Sequence, residues 1–408
     1  MAGAGLAGLS AAVALAGRGE RVEVFEGAAQ AGGRCRSYLD PQLGAVIDNG
    51  NHLVLSGNRA VHAYLAEIGA SDQLIGPDEA EIAFADLRSG ERWAVRPNAG
   101  RLPWWIFDPS RRVPGTTPGD YLALAALLYP PAGKRLDQVV ACKGRLWETL
   151  LHPFLLAVLN TEPAAGAADL AAAVVRETLG LGGRACRPRI AHPTLAAAFV
   201  DPALAWLERH GAQVHLGRRV RSLDLADGRI AGFALPDRQV TLAPGDVLIL
   251  AVPPWAAQDL LPGLDAPDDF RAIVNGHFLI AAPAGATQMV GLVGGAAEWV
   301  FAFPDRISVT VSGADRLLDD DREDLARRLW ADVARLHRLP PELPPWQIVK
   351  ERRATFAATP EQNRKRPGAR TAWDNLLLAG DWTATGLPAT IEGALRSGRT
   401  AADLVTKP

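Results

Sequence analysis

The sequence of 408 residues contains little cysteine, no excess of charge of either sign and no long hydrophobic run. Its three cysteines, Cys35, Cys142 and Cys186, stand far apart and form no CxxC pair. This spacing argues against a disulfide framework and against a zinc site, and it favours a reducing, cytoplasmic environment. The net charge of −2 leaves no basic excess with which to bind nucleic acid. We therefore expect no bound metal and no nucleic-acid partner.

Two further absences concern membranes. The N-terminus has no charged segment followed by an apolar stretch, as a secretory signal would have. No uninterrupted apolar run approaches the roughly 20 residues that span a bilayer. With 48% hydrophobic and 22% charged residues, the composition is typical of a globular protein, and the length predicts two or three domains.

What is present begins with a glycine-rich turn in "MAGAGLAGLSAAVALAGRGERVEVFEG". Gly3, Gly5 and Gly8 allow, in turn, a tight turn, close approach of a pyrophosphate and close packing of a helix on a strand. The N-terminus of that helix adds free N–H groups and a partial positive charge. The following strand ends at Glu26, whose carboxylate can accept both ribose hydroxyls. These features together predict a dinucleotide site, because a merely tight strand–helix turn does not require Glu26.

The last part of the chain carries a second motif, in "LLLAGDWTATGLPATIEGALRSGRTAAD". A strand leads to Gly380 and Asp381, and a helix is predicted to begin near Thr390. An acid placed directly after a strand can hold the ribityl or pyrophosphate region of a cofactor. The helix N-terminus can stabilise negative charge on a reduced flavin ring.

Between these motifs the character of the chain changes. The segments "RVEVFE", "DVLILAVP" and "NLLLAGD" read as buried strands, and their alternation with helices predicts a parallel, doubly wound α/β sheet. Residues 82–129 are rich in tryptophan and include the helix candidate "YLALAALLYPP", and residues 145–180 look mostly helical. We expect this aromatic, helical section to be an insertion that receives the substrate.

The GxGxxG…Glu…GGR opening and the AGDxT…EGAxxSG ending resemble the FAD-dependent amine oxidase and phytoene desaturase superfamily. Within it, "DNGNHLVLSGNRA", "RPNAGRLPWWIFDPSRRVPGT", "RETLGLGGRACRP" and "ERRATFAATPEQ" resemble the hydroxysqualene dehydroxylases, the squalene-associated FAD-dependent desaturases, over nearly the whole chain. The resemblance implies an α/β fold in which a Rossmann-type FAD-binding domain carries an inserted mixed α+β substrate domain. We place the FAD-binding parts at residues 1–75, 206–260 and 351–408, and the substrate parts at residues 76–205 and 261–350.

The resemblance also implies the contacts of FAD. It assigns the pyrophosphate to Gly3, Gly5 and Gly8, the ribose to Glu26, the flavin and phosphates to Gly32, Gly33 and Arg34, the adenine to the backbone of Val220, and closure of the site to Gly380, Asp381 and Ile391. Some relatives attach the flavin through a cysteine near the C-terminal motif. No cysteine lies beyond Cys186, so we expect FAD to bind non-covalently.

One departure from the superfamily pattern lies at the start of the sequence. Relatives place about five apolar residues before the first glycine, and these form the central strand of the sheet. Here only Met1 and Ala2 precede Gly3. Without that strand, neighbouring backbone groups would lack ladder partners. We therefore expect the natural start to lie upstream.

The reaction implied by the resemblance is a reductive dehydroxylation in squalene and hopanoid biosynthesis: hydroxysqualene loses water and receives hydride from reduced FAD. Such a step needs a proton donor and a pocket that excludes water. His52 and Asp48, in "IDNGNHLVLSG", are the catalytic candidates, although either can instead be structural. Glu392 can donate a proton or cap a helix. No nicotinamide-binding motif accompanies the other glycine clusters, so the electron donor stays unknown.

Trp104, Trp105, Phe107 and Trp382 are candidates to line a pocket for a long isoprenoid, and the alternative for each is ordinary core packing. The run "WWIF" beside "YLALAALL" also allows a peripheral contact in which an aromatic face enters one leaflet from the cytoplasmic side.

Three other functions fit parts of the pattern. A carotenoid-type desaturase would use the same fold with hydride moving in the opposite direction. An amine oxidase usually has an aromatic cage at the flavin, to which the C-terminal motif contributes only Trp382. A non-enzymatic carrier of prenylated proteins would not need Gly380 and Asp381.

Overall fold

The computed structural model describes residues 1–405, and in this range the chain forms short strands and helices arranged around two main sheets. The strands are β1 Glu23–Phe25, β2 Ser37–Asp40, β3 Ala45–Asp48, β4 Leu53–Leu55, β5 Leu74–Ile75, β6 Ile82–Asp86, β7 Arg92–Val95, β8 Pro188–Ala191, β9 Gln213–His215, β10 Ser222–Ala226, β11 Arg229–Ala234, β12 Gln239–Thr241, β13 Leu248–Leu250, β14 Phe270–Phe278, β15 Met289–Val293, β16 Trp299–Ala302, β17 Ile307–Val311, β18 Trp346–Phe356 and β19 Leu376–Leu378.

The helices flank these sheets. The α-helices are α1 Leu6–Ala16, α2 Arg59–Ile68, α3 Leu122–Ala126, α4 His152–Leu159, α5 Ala168–Glu177, α6 Leu195–Phe199, α7 Asp201–Arg209, α8 Pro254–Leu260, α9 Arg322–His337, α10 Pro360–Arg364 and α11 Ile391–Leu404. Single 3₁₀ turns include Trp104–Phe107 and Pro118–Tyr121, and a π-helical turn at Trp147–Leu151 precedes α4.

The parallel sheet is built from both ends of the chain. Strand β1 pairs with β9, β13 pairs with β19, and Ala2 forms parallel bridges to both Phe25 and Leu250. The Ala2 N–H donates to Ile249 O at 2.9 Å and the Gly3 N–H donates to Phe25 O at 2.8 Å. Met1–Gly3 therefore occupies the centre of this sheet. At these positions the short segment itself supplies hydrogen bonds to both neighbouring strands, and the expectation of further strand residues upstream stays a prediction.

Helix α1 lies against this sheet and is buried along its whole length, including Ser10. Its small side chains allow α11 to approach closely. A Cβ added at Gly398 would come within 2.1 Å of Ala7 O, and Ser10 Oγ donates to Leu395 O at 2.8 Å. The first and last helices of the chain are thus packed together.

A larger sheet forms the other side of the molecule. Its seven strands run in the order β18-β14-β17-β16-β15-β6-β7, and every neighbouring pair is antiparallel except β15 with β6. Phe278, Trp330 and Val309 belong to a buried cluster between this sheet and α9. Phe84, Trp93 and Trp299 belong to a different buried cluster, which also includes residues of the helical segment 147–171. The sheet thus separates two apolar cores.

The predicted helical character of residues 145–180 is confirmed by the π-helical turn, α4 and α5. The helix predicted over "YLALAALLYPP" is much shorter than expected, because α3 ends at Ala126. None of the five residues of α3 is buried. A helix this short gains little from its own hydrogen bonds, and only Ala123 and Leu124 pack against the core.

Within residues 1–405, no helix combines the length and the apolar character needed to cross a bilayer. In the same range, no group of three or more His, Cys, Asp and Glu side chains is arranged to hold a metal ion.

Candidate cofactor and substrate site

The N-terminus of α1 is open in a way that suits an anion. Gly5 is its N-cap, no side chain caps the helix, and its first turn carries no acid. A Cβ at Gly3 would lie 2.5 Å from Ala251 O, and one at Gly8 would lie 2.0 Å from Gly3 O, whereas a Cβ at Gly5 would meet nothing within 4 Å. The protein's own packing thus requires glycine at residues 3 and 8, while Gly5 keeps space free beside the helix end. A pyrophosphate fits this arrangement.

Glu26 follows β1 and is held beside the glycine turn by backbone groups. Its Oε2 accepts the Ala4 N–H at 2.7 Å, and its Oε1 accepts the Ala28 N–H at 2.8 Å. Each carboxylate oxygen retains further acceptor capacity. The orientation of Glu26 is therefore fixed while both oxygens can still receive ribose hydroxyls.

The GGR loop links the N-terminal and C-terminal motifs. The Gly32 N–H donates to Ala4 O at 2.8 Å. Arg34 Nη2 donates to both oxygens of Asp381, at 2.7 and 2.8 Å, and its Nη1 donates to Ala354 O at 2.5 Å. Although burial opposes it, the carboxylate of Asp381 raises the pKa of Arg34 above its ordinary value. The structure thus brings together Gly32, Arg34 and Asp381, as the motifs predicted.

The loop that carries Asp381 is held by an arginine that sequence reasoning missed. Arg366 is buried, with 7% of its surface exposed. Its Nη2 donates to Asp381 O at 3.1 Å and to Thr383 O at 2.5 Å, and its guanidinium lies 4.8 Å from the ring centre of Phe356. Burial lowers the pKa of Arg366 to about 10. Its position in a charged run gave no signal of this role.

The remaining cofactor candidates lie at the two sides of the parallel sheet. Val220 is buried, and within residues 1–405 its backbone N–H and C=O receive no hydrogen-bond partner. A free backbone edge of this kind suits an adenine. Gly380 donates its N–H to Ser397 Oγ at 2.9 Å, and Ile391 opens α11 directly after its N-cap, Thr390.

Asp48 lies in a buried polar network. Its Oδ1 accepts Ser37 Oγ at 2.6 Å and the Leu195 N–H at 2.9 Å, and Arg306 Nη2 lies 3.5 Å from its Oδ2. Burial raises the pKa of Asp48, and these donors oppose the shift. The carboxylate therefore connects β3 to the start of α6.

His52 lies beside the GGR loop. Burial, followed by the charge of Arg34, lowers the pKa of His52 to about 4, although a hydrogen bond with the Arg34 backbone opposes this. The imidazole is therefore uncharged at neutral pH. His52 thus lies next to Arg34, and Asp48 lies in the separate buried network of Ser37 and Arg306.

Glu392 belongs to α11, but its carboxylate is hydrogen-bonded to the start of another helix, α2. Its Oε1 accepts the Ala60 N–H and its Oε2 accepts the Val61 N–H, both at 3.0 Å. Arg396 also donates to it at 3.0 Å. Glu392 thus caps the N-terminus of α2, which confirms the capping interpretation.

Strand β18 supplies one wall of the site. Besides the carbonyl of Ala354, it presents Glu351, whose Oε2 accepts Asn49 Nδ2 at 3.2 Å and whose charge raises the pKa of Arg34 together with Asp381. Sequence reasoning missed Glu351, whose neighbours on this strand are Arg352 and Arg353. Both arginines are exposed, and the guanidinium of Arg353 lies 4.8 Å from the ring centre of Trp255.

The structure separates the predicted pocket aromatics. Trp105 is buried, contacts Tyr121 edge to face at 5.1 Å and lines a narrow apolar cavity with Leu150 and Phe154. Trp104 and Phe107, by contrast, are 53% and 69% exposed. Trp382 is buried beside Gly380 and donates its indole N–H to Val252 O at 3.0 Å. Only Trp105 among these four lines that cavity.

Comparison with protein families shows to which class this arrangement belongs. The family model described as flavin containing amine oxidoreductase matches residues 6–406. Among solved structures, an oxidoreductase from Methanosarcina mazei has a TM-score of 0.73 at 16% identity, covering 98% of this chain and 99% of its own. Putrescine oxidase has a TM-score of 0.70 at 18% identity, covering 99% and 98%. The chain belongs to the flavin-containing amine oxidoreductase family, and the predicted Rossmann-type fold is confirmed.

Curated relatives narrow the assignment. The chain is 53% identical to hydroxysqualene dehydroxylase of Rhodopseudomonas palustris, covering 99% of this chain and 97% of that protein. It is 48% identical to hydroxysqualene dehydroxylase of Zymomonas mobilis, covering 98% and 97%. A probable zeta-carotene desaturase of Synechococcus elongatus is only 22% identical. Within its family the chain is therefore a member of the hydroxysqualene dehydroxylases, and it is an FAD-dependent oxidoreductase.

Proposed function

We propose that the protein reduces hydroxysqualene to squalene in squalene and hopanoid biosynthesis. The observation that carries this proposal is identity of about half of all residues to named hydroxysqualene dehydroxylases, over nearly the whole chain. In the reaction a C–O bond breaks, a C–H bond forms, and the hydroxyl leaves as water after receiving one proton. Bound and reduced FAD supplies the hydride, which carries the two electrons. Those electrons are expected to come from an external donor.

FAD is proposed to bind non-covalently across the two joined motifs. The open end of α1 would hold the pyrophosphate, Glu26 the ribose and Val220 the adenine, while Arg34 and Asp381 lie towards the flavin. None of the three cysteines follows the C-terminal motif. Burial, followed by the charge of Asp48, raises the pKa of Cys35, so this thiol stays protonated and is a poor nucleophile.

His52 is our candidate for contact with the leaving hydroxyl. It lies beside Arg34, which belongs to the GGR loop. As an uncharged imidazole it can donate one hydrogen bond to that oxygen. We propose that Asp48, despite its raised pKa, acts by holding this loop through Ser37 and Leu195. Glu351 is a further carboxyl on the wall of the site, and as an acceptor it is proposed to orient Asn49.

The isoprenoid chain is proposed to enter beside Trp105, where an apolar cavity of about 30 Å³ has to widen to hold it. The other residues around this cavity include Leu55, Ile82, Leu150 and Phe154, and no charged side chain lines it. Such surroundings exclude water, so that a developing carbocation is not returned to the alcohol. They also match a long hydrocarbon better than an amine.

A peripheral contact with one leaflet of the membrane is proposed for the face that carries Trp104 and Phe107. Leu122 and Tyr129, in the same part of the chain, are also 70% and 83% exposed. Exposed aromatic and aliphatic side chains grouped in this way are typical of an interaction surface. The contact would let a substrate dissolved in the bilayer reach the cavity. The cytoplasmic location stays a prediction.

The test is product analysis with the FAD-loaded protein. We expect the protein, reduced in the absence of oxygen, to convert hydroxysqualene to squalene, which gas chromatography would detect. The oxidised protein should leave phytoene unchanged. Desaturation of phytoene, with no squalene formed from hydroxysqualene, would instead identify a carotenoid-type desaturase. Protein carrying Glu26→Ala, which should lose FAD, serves as the control.

A further inference from the structure

A cleft lined by arginines lies at the edge strand β7, and the proposed reaction makes no use of it. Its volume is about 450 Å³, and its lining includes Arg92, Arg96, Arg112, Trp93 and Ser110. One wall is β7 itself. The other is the loop around residues 109–114, which joins β7 through a hydrogen bond from the Arg96 N–H to Arg111 O at 2.9 Å.

Two of the three arginines have donors to spare. Arg96 is paired with Glu81, with its Nε 2.7 Å from Oε2. Within residues 1–405, Arg92 and Arg112 have no acid within ion-pair distance, and Asp108 and Asp120 interact with Arg112 only at longer range. Arg92 Nη2 donates to Leu336 O, and Arg112 Nη1 donates to Ile106 O at 2.7 Å. Because a guanidinium has five N–H donors, each retains several for an anion.

Trp93 contributes a buried apolar surface to the same cleft. It is only 8% exposed, and in the described part of the chain its buried indole N–H has no hydrogen-bond partner. Stacking on Phe84, with ring centres 5.7 Å apart, holds the indole in place. A buried N–H without a partner is costly. Because this N–H lies below the surface of the cleft, as does that of Trp299 in the same core, the polar donors of the cleft are its arginines.

The cleft is continuous with the exposed aromatic face. Arg112 holds the carbonyl of Ile106, which stands between Trp104 and Phe107. The guanidinium of Arg111 lies 5.0 Å from the ring centre of Trp104. Residues 101–145 contain seven basic and three acidic residues, in a chain whose total charge is −2. The positive excess thus belongs to the segment that carries Trp104 and Phe107, whereas residues 76–100, which include β7, contain five acidic and three basic residues.

We propose that this arginine cleft binds the phosphate group of an anionic membrane lipid while Trp104 and Phe107 enter the headgroup region. The inference rests on the proposed function, in which the substrate is dissolved in the bilayer, and it names the lipid chemistry that the surface recognises. Guanidinium groups bind phosphate oxygens through paired N–H donors, and basic residues near a membrane are attracted by anionic lipids. The cleft would thereby orient the cavity towards the bilayer.

The experiment is sedimentation of the full-length, FAD-loaded protein with vesicles of phosphatidylcholine, with and without phosphatidylglycerol. We expect strong binding only when phosphatidylglycerol is present. Arg92→Gln with Arg112→Gln should weaken that binding about twenty-five-fold, since one basic residue contributes about five-fold. The matched control, Arg209→Gln with Arg238→Gln, removes two exposed charges from the FAD-binding parts and should change binding less than about two-fold.

Three outcomes decide the proposal. Equal binding of phosphatidylglycerol vesicles by the Arg92/Arg112 variant and the unmodified protein would overturn it. Displacement of the protein from vesicles by inorganic phosphate at matched ionic strength would overturn the lipid assignment in favour of a soluble phosphate. A variant that loses vesicle binding but still reduces hydroxysqualene in detergent micelles would support it. Absence of turnover with vesicle binding intact would count against the proposed function alone.

Discussion

Helices α1 and α3 have similar sequences and opposite surroundings. Helix α1 reads "LAGLSAAVALA" and is buried throughout, whereas α3 reads "LALAA" and buries none of its residues. Both are runs of alanine and leucine. The difference is that the parallel sheet and α11 cover α1 on all sides, while α3 is only partly covered, through Ala123 and Leu124. On the cofactor side an apolar sequence thus forms a buried core helix. On the substrate side a similar sequence leaves apolar side chains exposed.

The same contrast holds for the bonds that define each side. The cofactor side is held by backbone groups, such as those of Ala4 and Ala28 on Glu26. The substrate side is defined by large side chains, such as Trp105 and Phe154 around the apolar cavity. Adding even a small side chain should therefore affect stability or FAD binding most on the cofactor side. Four experiments test this, in order from the largest expected effect to the smallest.

The largest effect is expected at Gly8. A valine there would place its Cβ against Gly3 O, which is backbone and cannot move aside. We expect a loss of more than about 3 kcal/mol in the free energy of unfolding, measured by chemical denaturation without FAD. Gly368→Ala, where a Cβ meets nothing, should change it by less than about 0.5 kcal/mol.

Gly5→Ala sharpens the same experiment. It should leave the unfolding free energy of the FAD-free protein unchanged within about 0.5 kcal/mol and weaken FAD binding at least about ten-fold, because the new methyl group occupies space meant for the pyrophosphate. Unchanged FAD affinity in Gly5→Ala would contradict the proposed pyrophosphate position.

A pH effect is expected on the substrate side, at Glu298. Burial raises the pKa of Glu298 to about 7, although the Ser312 N–H and Arg316 oppose this. The folded protein thus holds this proton more tightly than the unfolded chain does. The resulting stability is complete below about pH 4.5 and is lost as pH rises through 7. Glu298→Gln should remove this dependence and stabilise the protein by about 2–3 kcal/mol above pH 8.

Thermal unfolding of the unmodified protein and of Glu298→Gln, followed from pH 5 to 8, measures this pH dependence of stability. The exposed Glu323, which pairs with Arg327 on α9, provides the control: Glu323→Gln should keep the slope of the unmodified protein. A Glu298→Gln protein whose stability still falls over this range would show that another group is responsible.

An intermediate effect is expected at the ion pair that joins the two motifs. Arg34→Gln leaves Asp381, which is only 7% exposed, without its partner. The expected loss is about 1–2 kcal/mol, less than for a fully buried pair because Arg34 keeps contact with solvent. The exposed Arg352, on the neighbouring strand, provides the control Arg352→Gln. If Arg34→Gln combined with Asp381→Asn loses as much as the two single changes added together, the residues are not coupled.

The smallest effect is expected at Trp104. Because it is half exposed, Trp104→Ala should change the unfolding free energy by less than about 0.5 kcal/mol. Its neighbour Trp105 is buried, and Trp105→Ala should cost about 3–5 kcal/mol. Denaturation of the two variants side by side measures this difference. Similar losses in both would mean that the aromatic face is covered in the native protein.

The cofactor side could be predicted from sequence because backbone geometry sets its residue types. Gly3 and Gly8 leave no room for a side chain, and Glu26 must follow a strand that ends beside the glycine turn. These residues lie close together along the chain, so their spacing in the sequence is enough to predict them. The assignment of each residue to a part of FAD stays a prediction, as do the domain boundaries.

Other features depend on segments far apart in the chain, and sequence spacing did not reveal them. Arg366 acts on the loop after β19, and Glu392 caps a helix more than three hundred residues earlier. Trp104 and Trp105 are adjacent, yet only the fold decides which of them is buried. Glu351 also depends on the fold, because it is hydrogen-bonded to Asn49, a residue far away in the sequence.

The central claim is that both ends of the chain hold one FAD beside a cavity for a hydroxylated isoprenoid. The most direct test is a single turnover of the FAD-loaded, reduced protein with hydroxysqualene in the absence of oxygen. We expect the flavin absorbance to return as squalene forms, with one squalene for each flavin reoxidised. A flavin that stays reduced in the presence of hydroxysqualene, in protein shown to bind FAD, would contradict the claim.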